Sequence, residues 1–274
     1  MIVGRGDNFF NFNWDMKATS RNIRRNVAAV VMAAGKGTRM KDPSRAKVMA
    51  EINGKPLIHY VVDLAYKLDA SHVIVIVGYQ REVVTEYIRR SHPDVDCVVQ
   101  AEQLGTGHAV MQAEQALKSF SGEVIVLSGD VPLLTKESMR EFIDHHHATQ
   151  AVATILTADF ADPAGYGRII RNADGSVKKI VEHKDATEDE RRVSEINSGI
   201  YVFDKEKLFD ALKHISPHNV QNEYYLTDVF EYFWRHHWVV SAIKASHPDE
   251  IRGVNTVEQL EEARNVLNER VVKS

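Results

Sequence analysis

A single cysteine, Cys97, stands in the 274-residue chain. An intramolecular disulfide is therefore excluded, and a reducing compartment, the cytoplasm, is the expected setting. Long apolar runs are missing too: none approaches the roughly 18 residues that a membrane helix needs, so no membrane partner is expected. Basic residues do not dominate. Lys and Arg number 34 against 38 Asp and Glu, a net charge of −4, which removes the overall basicity of a nucleic-acid-binding protein. No repeat or low-complexity linker divides the chain. The remaining composition, 44% hydrophobic and 26% charged, can bury one large core or two small ones. Residues 1–26 lack the apolar centre of a secretory signal. They read as a flexible, partly basic extension, with Met16 as an alternative start, and residues 27–274 as the folded domain.

Short apolar runs alternate with helical periodicity through the first half. Residues 27–32, 73–77, 97–99 and 124–127 read as strands. Leu57, Ile58, Val61, Val62, Ala65 and Leu68 recur at helical spacing behind Pro56, a residue tolerated at a helix start. Val83, Val84, Tyr87 and Ile88 mark a second helix. Val110, Ala113, Glu114 and Leu117 mark a third, and residues 136–147 a fourth. This alternation predicts right-handed crossovers and an α/β fold: a Rossmann-like, mixed and mostly parallel sheet flanked by helices. The pattern changes near residue 150. Residues 152–156 read as a strand, and 168–171 and 177–181 flank Asn172-Ala173-Asp174-Gly175, a hairpin signal. A strand at 196–203, helices at 205–214 and 224–237, and a strand at 239–244 follow. Thr256 with Gln259 three positions on has the spacing of a capping box and predicts a last helix. The second half reads as an extension of the same sheet.

Two turns carry the chemistry. The first predicted strand breaks into Gly35-Lys36-Gly37-Thr38-Arg39, and Lys41, Arg45 and Lys47 follow. In an open parallel sheet, ligands sit beyond the carboxyl ends of the strands, and the first such turn is a favoured phosphate site. Glycines there let backbone N–H groups approach an anion, and Arg39 and Lys47 can neutralise phosphate oxygens. The turn has neither the Walker A nor the Gly-x-Gly-x-x-Gly spacing, so alone it is equally a tight turn with solvated lysines. Asp130 ends the fourth predicted strand in "VIVLSGDVPLL". A carboxylate at that edge can hold Mg²⁺ against phosphate, or it can cap a helix or turn.

"AAGKGTRM", "QAEQLGTGHAV", "SGDVPLL", "GYGRII", "VEHKDA", "EINSGIYVF" and "NEYYLTD" occur in this order. Together they make residues 27–268 resemble the N-acetylglucosamine-1-phosphate uridylyltransferases, the pyrophosphorylase part of a bacterial bifunctional enzyme, with its nucleotide-diphospho-sugar transferase fold. The resemblance implies UTP and N-acetylglucosamine-1-phosphate as substrates and Mg²⁺ as cofactor. It places Ala33, Ala34, Gly35 and Gly37 against the nucleotide by backbone, and Arg39 and Lys47 on the phosphates. It gives Gln100, Gly105 and Thr106 to uracil. Gly129 falls beside nucleotide or sugar, and Gly167, Glu182 and Asn197 hold the sugar. Asp130 and Asn255 become the metal ligands. The alternatives are another sugar-1-phosphate nucleotidyltransferase, with a different base or sugar, and a non-catalytic nucleotide-sugar sensor.

The chain departs from the family in three places. Arg45-Ala46 precede Lys47 where the family often has Leu-Pro. Ser128 precedes Gly129-Asp130 where a tyrosine is common. No hexapeptide repeats of the acetyltransferase β-helix occur, so acetyltransferase activity is expected to be missing, and the oligomeric state is left open. Among the other polar residues, His145-His146-His147 read as a solvated helix end, and Cys97 as buried rather than reactive.

Overall fold

The computed structural model describes residues 26–37, 40 and 45–273. The expected extension lies, apart from Asn26, outside the described residues. In chain order the elements are β1 (Val27–Ala33), β2 (Glu51–Ile52), β3 (Lys55–Pro56), α1 (Leu57–Lys67), β4 (His72–Val77), α2 (Arg81–Ser91), β5 (Asp96–Val99) and α3 (Thr106–Met111). β6 (Glu123–Ser128), α4 (Lys136–Thr149), β7 (Ala153–Asp159), β8 (Gly167–Arg171), β9 (Val177–Val181) and α5 (Glu188–Arg191) follow. The chain ends with β10 (Glu195–Asp204), α6 (Lys205–Leu212), α7 (Val229–Arg235), β11 (Val240–Lys244) and α8 (Val257–Lys273).

β1 lies near the middle of the sheet because both its faces are apolar. Val27, Ala29, Val31 and Ala33 point into one core, Ala28 and Val30 into the other. β4 and β6 alternate in the same way, with Val73, Val75, Val77, Ile125 and Leu127 on the first side and Ile74, Ile76, Val124 and Val126 on the second. α1, α2 and α4 cover the first face; α3, α6 and α7 cover the second. The strand order is β11-β7-β10-β6-β1-β4-β5, with the β8–β9 hairpin joined to β10. β6, β1, β4 and β5 are mutually parallel, as are β7 and β11. β10 runs antiparallel to both its neighbours. The expected mixed, mostly parallel sheet is borne out, and the second half does extend it. A third, smaller core joins Leu260, Ala263 and Val266 of α8 to Ile52, Leu57, Leu133 and Val254.

Several local expectations need correction. The third helix starts inside the glycine turn, at Thr106, and is α-helical only to Met111. Ala113 and Leu117 are buried as their spacing implies, but in consecutive turns. The helix expected over 224–237 is a 3₁₀ turn, Leu226–Asp228, followed by α7. The histidines ending α4 are not solvated. His146 is 3% exposed and bonds Thr154 Oγ1 at 2.7 Å. His145 reaches Ser241 Oγ at 2.7 Å and His147 the Glu123 carboxylate at 2.5 Å. The α4 face against β6, β7 and β11 is thus partly polar, with each of the three histidines bonded through one ring nitrogen.

The second core is anchored by aromatic packing. Phe230 is fully buried, with ring centroids 5.5 Å from Tyr201, 5.6 Å from Phe203 and 5.9 Å from Phe233. Phe230→Ala should cost about 3–5 kcal/mol, the range for a truncated buried ring. Urea denaturation measures this directly; a loss below about 1 kcal/mol would show that α7 does not depend on this cluster.

Candidate active site

Because β6, β1, β4 and β5 are parallel, their carboxyl ends open on one edge of the sheet. β1 leads into Ala34-Gly35, β4 into Gly78, β5 into Gln100 and β6 into Gly129-Asp130. Backbone bonds carry the ladder slightly past the strands: Gly129 N–H donates to Met32 O at 2.9 Å, Tyr79 N–H to Ala34 O at 3.0 Å and Gln100 N–H to Val77 O at 2.8 Å. A cavity of about 390 Å³ lies over this edge. Ala33, Ala34, Gly35, Lys47, Gln100, Gly105, Thr106 and Asp130, all singled out from the sequence, line it. So do Gln103 and Glu223, which lie inside quoted motifs and were not singled out. Arg39 lies outside the described residues. A wider groove of about 710 Å³ beside α6 has lysines and acids interspersed. It includes the start of α6, which follows the amino-end side of β6, where Lys205 N–H donates to Gly122 O at 3.1 Å.

Lys47 organises the floor of the cavity. Its ammonium donates to Asp130 Oδ2 in a very short contact and to Asn255 Oδ1 at 3.0 Å. Gly37 explains how the lysine stem fits. It has φ +64°, and a Cβ there would sit 2.3 Å from Lys47 Cβ. The turn thus needs glycine both for its left-handed backbone and for the space. Asn255 reaches the cluster because Val254 N–H donates to Asp130 O at 2.9 Å. Two oxygen donors therefore converge on one cation, here an ammonium. The donor set of one carboxylate and one amide oxygen suits Mg²⁺, which takes few protein ligands.

The opposite wall is built around Gly105. Its φ is +109°, and a Cβ would lie 2.5 Å from Tyr224 O. Tyr224 N–H donates to Leu104 O at 2.7 Å and Gly107 N–H to Tyr224 O at 2.8 Å, so "LGTG" and "NEYYLTD" are laced together. Thr106 Oγ1 accepts from Leu226 N–H at 3.0 Å. Gln100 is 3% exposed, and its amide nitrogen donates to Gly105 O at 3.0 Å. Gln100 and Thr106 therefore brace this wall as well as lining it.

The residues expected to hold a sugar form a second cluster. β8 pairs with β10 so that Gly167 lies opposite Asn197. A Cβ on Gly167 would be 3.4 Å from Asn197 Cβ and 3.5 Å from Glu182 Oε2. Asn197 Nδ2 donates to Tyr201 Oη at 2.7 Å, and Thr227 Oγ1 donates to Glu182 Oε1 at 3.1 Å. Gly199, at the irregularity in β10, approaches Ser128 at the end of β6. Burial raises the Glu182 carboxyl above its ordinary range, and Asp185 and Glu223 add to the effect. Asp228 is pushed up to about 6, by burial first and then by Glu182, Glu231 and Asp185. Tyr201, Thr227 and Asp228 were not singled out from the sequence, although each lies inside or beside a quoted motif.

A mixed parallel sheet with a glycine turn, a lysine and an aspartate at its carboxyl edge defines an α/β nucleotide-binding class. The chain belongs to the nucleotidyl transferase family, which it matches over residues 28–247. It is 47% identical over 245 residues to the bifunctional protein GlmU of Geobacillus sp. (strain WCH70), covering 89% of this chain and 52% of that protein. It is 44% identical over 249 residues to the bifunctional protein GlmU of Geotalea uraniireducens (strain Rf4), covering 91% and 54%. The chain thus spans about half the length of the curated relatives it matches. Crystal structures of UDP-glucose pyrophosphorylase, apo and complexed with UDP-glucose, align with TM-scores of 0.71 and 0.69 over 89% of this chain and 99% of theirs. At 20% identity these two speak for the fold.

Asp228 yields a pH-dependent prediction. Its folded value, about 6, lies above the ordinary 3.8. The native state therefore holds this proton more tightly than the unfolded chain. The associated stability is present below the ordinary value and is lost as pH rises through about 6. Asp228→Asn removes the ionisation. At pH 7.5 the variant should be more stable by about 1–2 kcal/mol after discounting for solvent screening and the helix-start position. The gain should shrink towards zero near pH 4. Urea titrations at both pH values test it, and a variant less stable at pH 7.5 would contradict the reading.

Proposed function

We propose that this chain transfers uridylyl from UTP to N-acetylglucosamine-1-phosphate, giving UDP-N-acetylglucosamine and pyrophosphate. The observation that supports this most is the bridging of Asp130 and Asn255 by Lys47 under the glycine turn, in a chain 47% identical to a bifunctional GlmU protein. The ordered motifs of the sequence supply the choice of base and sugar. Within these 274 residues the proposal covers uridylyl transfer alone.

The roles follow from chemistry. Backbone at Ala33, Ala34, Gly35 and Gly37 faces the nucleotide, and Lys47 neutralises its phosphates. Arg39 is assigned to the phosphates on the sequence alone. The wall of Gln100, Gly105 and Thr106 takes uracil, which needs a donor and an acceptor in register. Gly129 lies beside nucleotide or sugar; Gly167, Glu182 and Asn197 take the sugar. Asp130 and Asn255 would hold a divalent cation, Mg²⁺ in this proposal, which supplies charge neutralisation on the phosphate oxygens. A phosphate oxygen of the sugar phosphate attacks the α-phosphorus of UTP in line. The new P–O bond forms as the bond to the β-phosphate bridging oxygen breaks, and that electron pair leaves with pyrophosphate. The nucleophile is already an anion, so positioning and charge neutralisation do the work and no side chain need remove a proton. Lys47 changes partners in this scheme, from the Asp130 and Asn255 oxygens to the incoming phosphates.

Pyrophosphate release is the first measurement. UTP with N-acetylglucosamine-1-phosphate should far exceed dTTP or glucose-1-phosphate in kcat/KM. Asp130→Asn keeps the shape and removes the charge. It should cut turnover by at least ~100-fold at low Mg²⁺, a loss typical for a group that stabilises reacting charge. Excess Mg²⁺ or Mn²⁺ should restore part of it, whereas wild-type metal dependence in this variant would remove the proposed centre. Asn255→Ala should be milder, because water can replace a neutral ligand.

Glu182 separates the sugar from the nucleotide. Losing a hydrogen bond to a charged group costs about 1.5–3 kcal/mol, so Glu182→Ala should lower kcat/KM for the sugar phosphate roughly 10- to 150-fold. The KM for UTP should stay within about twofold if the two clusters act separately. Equal losses for both substrates, or none for the sugar phosphate, would reject the assignment.

A further inference from the structure

We propose that His59, Asp63 and His92 form a binding site for a zinc-class divalent cation, away from the carboxyl-edge cavity. His59 and Asp63 lie one turn apart on α1, on the same face. His92 follows the last residue of α2 and packs against them. His59 Nε2 is 3.4 Å from Asp63 Oδ2, and His92 Nε2 is 2.9 Å from Asp63 Oδ1. One donor atom from each residue lies within 4.8 Å of the other two. Four-coordinate zinc with bonds of about 2.0–2.1 Å places its ligands about 3.4 Å apart, so little movement is needed. Among the described residues no other group of His, Cys, Asp and Glu is arranged in this way.

The outer nitrogens of both rings already have partners. His59 Nδ1 pairs with the Tyr87 hydroxyl at 3.0 Å, and His92 Nδ1 with Ser91 Oγ at 2.8 Å. Ser91 Oγ gives its own hydrogen to the Tyr87 carbonyl at 2.9 Å. It must therefore accept from His92 Nδ1–H, which turns the Nε2 of a neutral His92 towards the carboxylate as a lone pair. Such an approach needs a cation between the two groups. A proton on His92 would satisfy that contact alone. It would leave His59 Nε2, which is buried without a hydrogen bond despite its distance to Asp63. A metal ion engages all three groups at once. Partners on the outer nitrogens are the arrangement that orients metal-binding histidines. Two imidazoles and a carboxylate favour zinc over magnesium, and the 37% exposed Asp63 side chain leaves room for a water as fourth ligand.

The test uses the full chain without a histidine tag, stripped by chelator and kept in saturating Mg²⁺ so that oxygen-rich sites are filled. Calorimetric titration should give one Zn²⁺ per chain, and Co²⁺ should develop the intense visible absorption of a four-coordinate site. Asp63→Ala and His92→Gln should each abolish the Co²⁺ band and weaken Zn²⁺ by at least ~10-fold. Tyr87→Phe, which removes only an outer partner, should weaken it about 10- to 100-fold. Asp63 is partly exposed, so its variant decides the matter if His92→Gln fails to fold. No Zn²⁺ uptake by the unaltered chain, or uptake unchanged in Asp63→Ala, would leave an imidazolium–carboxylate pair only and overturn the proposal.

Discussion

The Lys47 ammonium lies between the oxygens of Asp130 and Asn255, which are 83 and 208 positions away in the chain. The side chains of Lys47 and Asp130 are only 16% and 15% exposed. Taking such a pair out of water costs about as much as its attraction returns, so its value is not mainly stability. It keeps one cation and two oxygen donors poised within reach of the cavity. In the proposed reaction an incoming triphosphate would draw the ammonium away and free the two oxygens for a divalent cation. The same contact explains why the turn is glycine at position 37, since any side chain there would displace the lysine stem.

The sheet makes that contact possible. Parallel strands deliver their carboxyl ends to one edge, so the turns after β1, β4, β5 and β6 meet without long loops. β10 enters between β6 and β7 in the opposite direction, and its irregularity between Asn197 and Tyr201 lies beside Ser128. The β8–β9 hairpin then sets Gly167 against Asn197. In this way the Lys47 cluster and the Glu182–Asn197 cluster become neighbours, though one is built from parallel strands and the other from antiparallel ones. At this junction a Cβ on Gly199 would lie 3.9 Å from Ser128 Oγ, so the end of β6 and the irregularity in β10 are in direct contact.

Much of this was legible in the sequence. The β-branched runs of β1, β4 and β6 are too short for helices and too apolar for loops, and they emerged as central strands. Thr256 and Gln259 do form the reciprocal cap of α8, at 3.2 Å in each direction. Periodicity carries no strand direction, so the antiparallel placement of β10 was not readable. Nor were β2 and β3, two residues each around Asn53-Gly54. The α4 histidines look solvated in the sequence because their partners, Thr154, Ser241 and Glu123, come from three different strands. In the site, motifs pointed to individual residues, but their pairing was a tertiary fact. Nothing in "AKVM" says that Lys47 reaches Asn255. Tyr201 and Thr227 were missed for the same reason, since each acts by holding a neighbour that carries the obvious chemistry.

The cap of α8 also bears on the site. Gln259 Oε1 accepts from Thr256 N–H and, at 2.7 Å, from Asn255 N–H. One side chain thus caps the start of a helix and fixes the backbone of a proposed metal ligand. Asn255 Nδ2 donates to Gly253 O at 3.2 Å, which holds the amide so that its oxygen faces Lys47. A Cβ at Gly253 would lie 3.3 Å from Asp130 Oδ2, so the segment can lie close against the aspartate. α8 is itself held by Ile52, Leu57 and Leu133 in the third core, and Arg270 donates to Leu133 O at 2.7 Å. Leu133 lies three residues beyond Asp130. The helix therefore clamps both sides of the Lys47 cluster, the loop after β6 and the segment before its own first turn. Loosening α8 would cost little of the main sheet's packing, yet it would free Asn255 from Asp130. The small third core thus serves chiefly to hold that geometry, while the two large cores hold the fold.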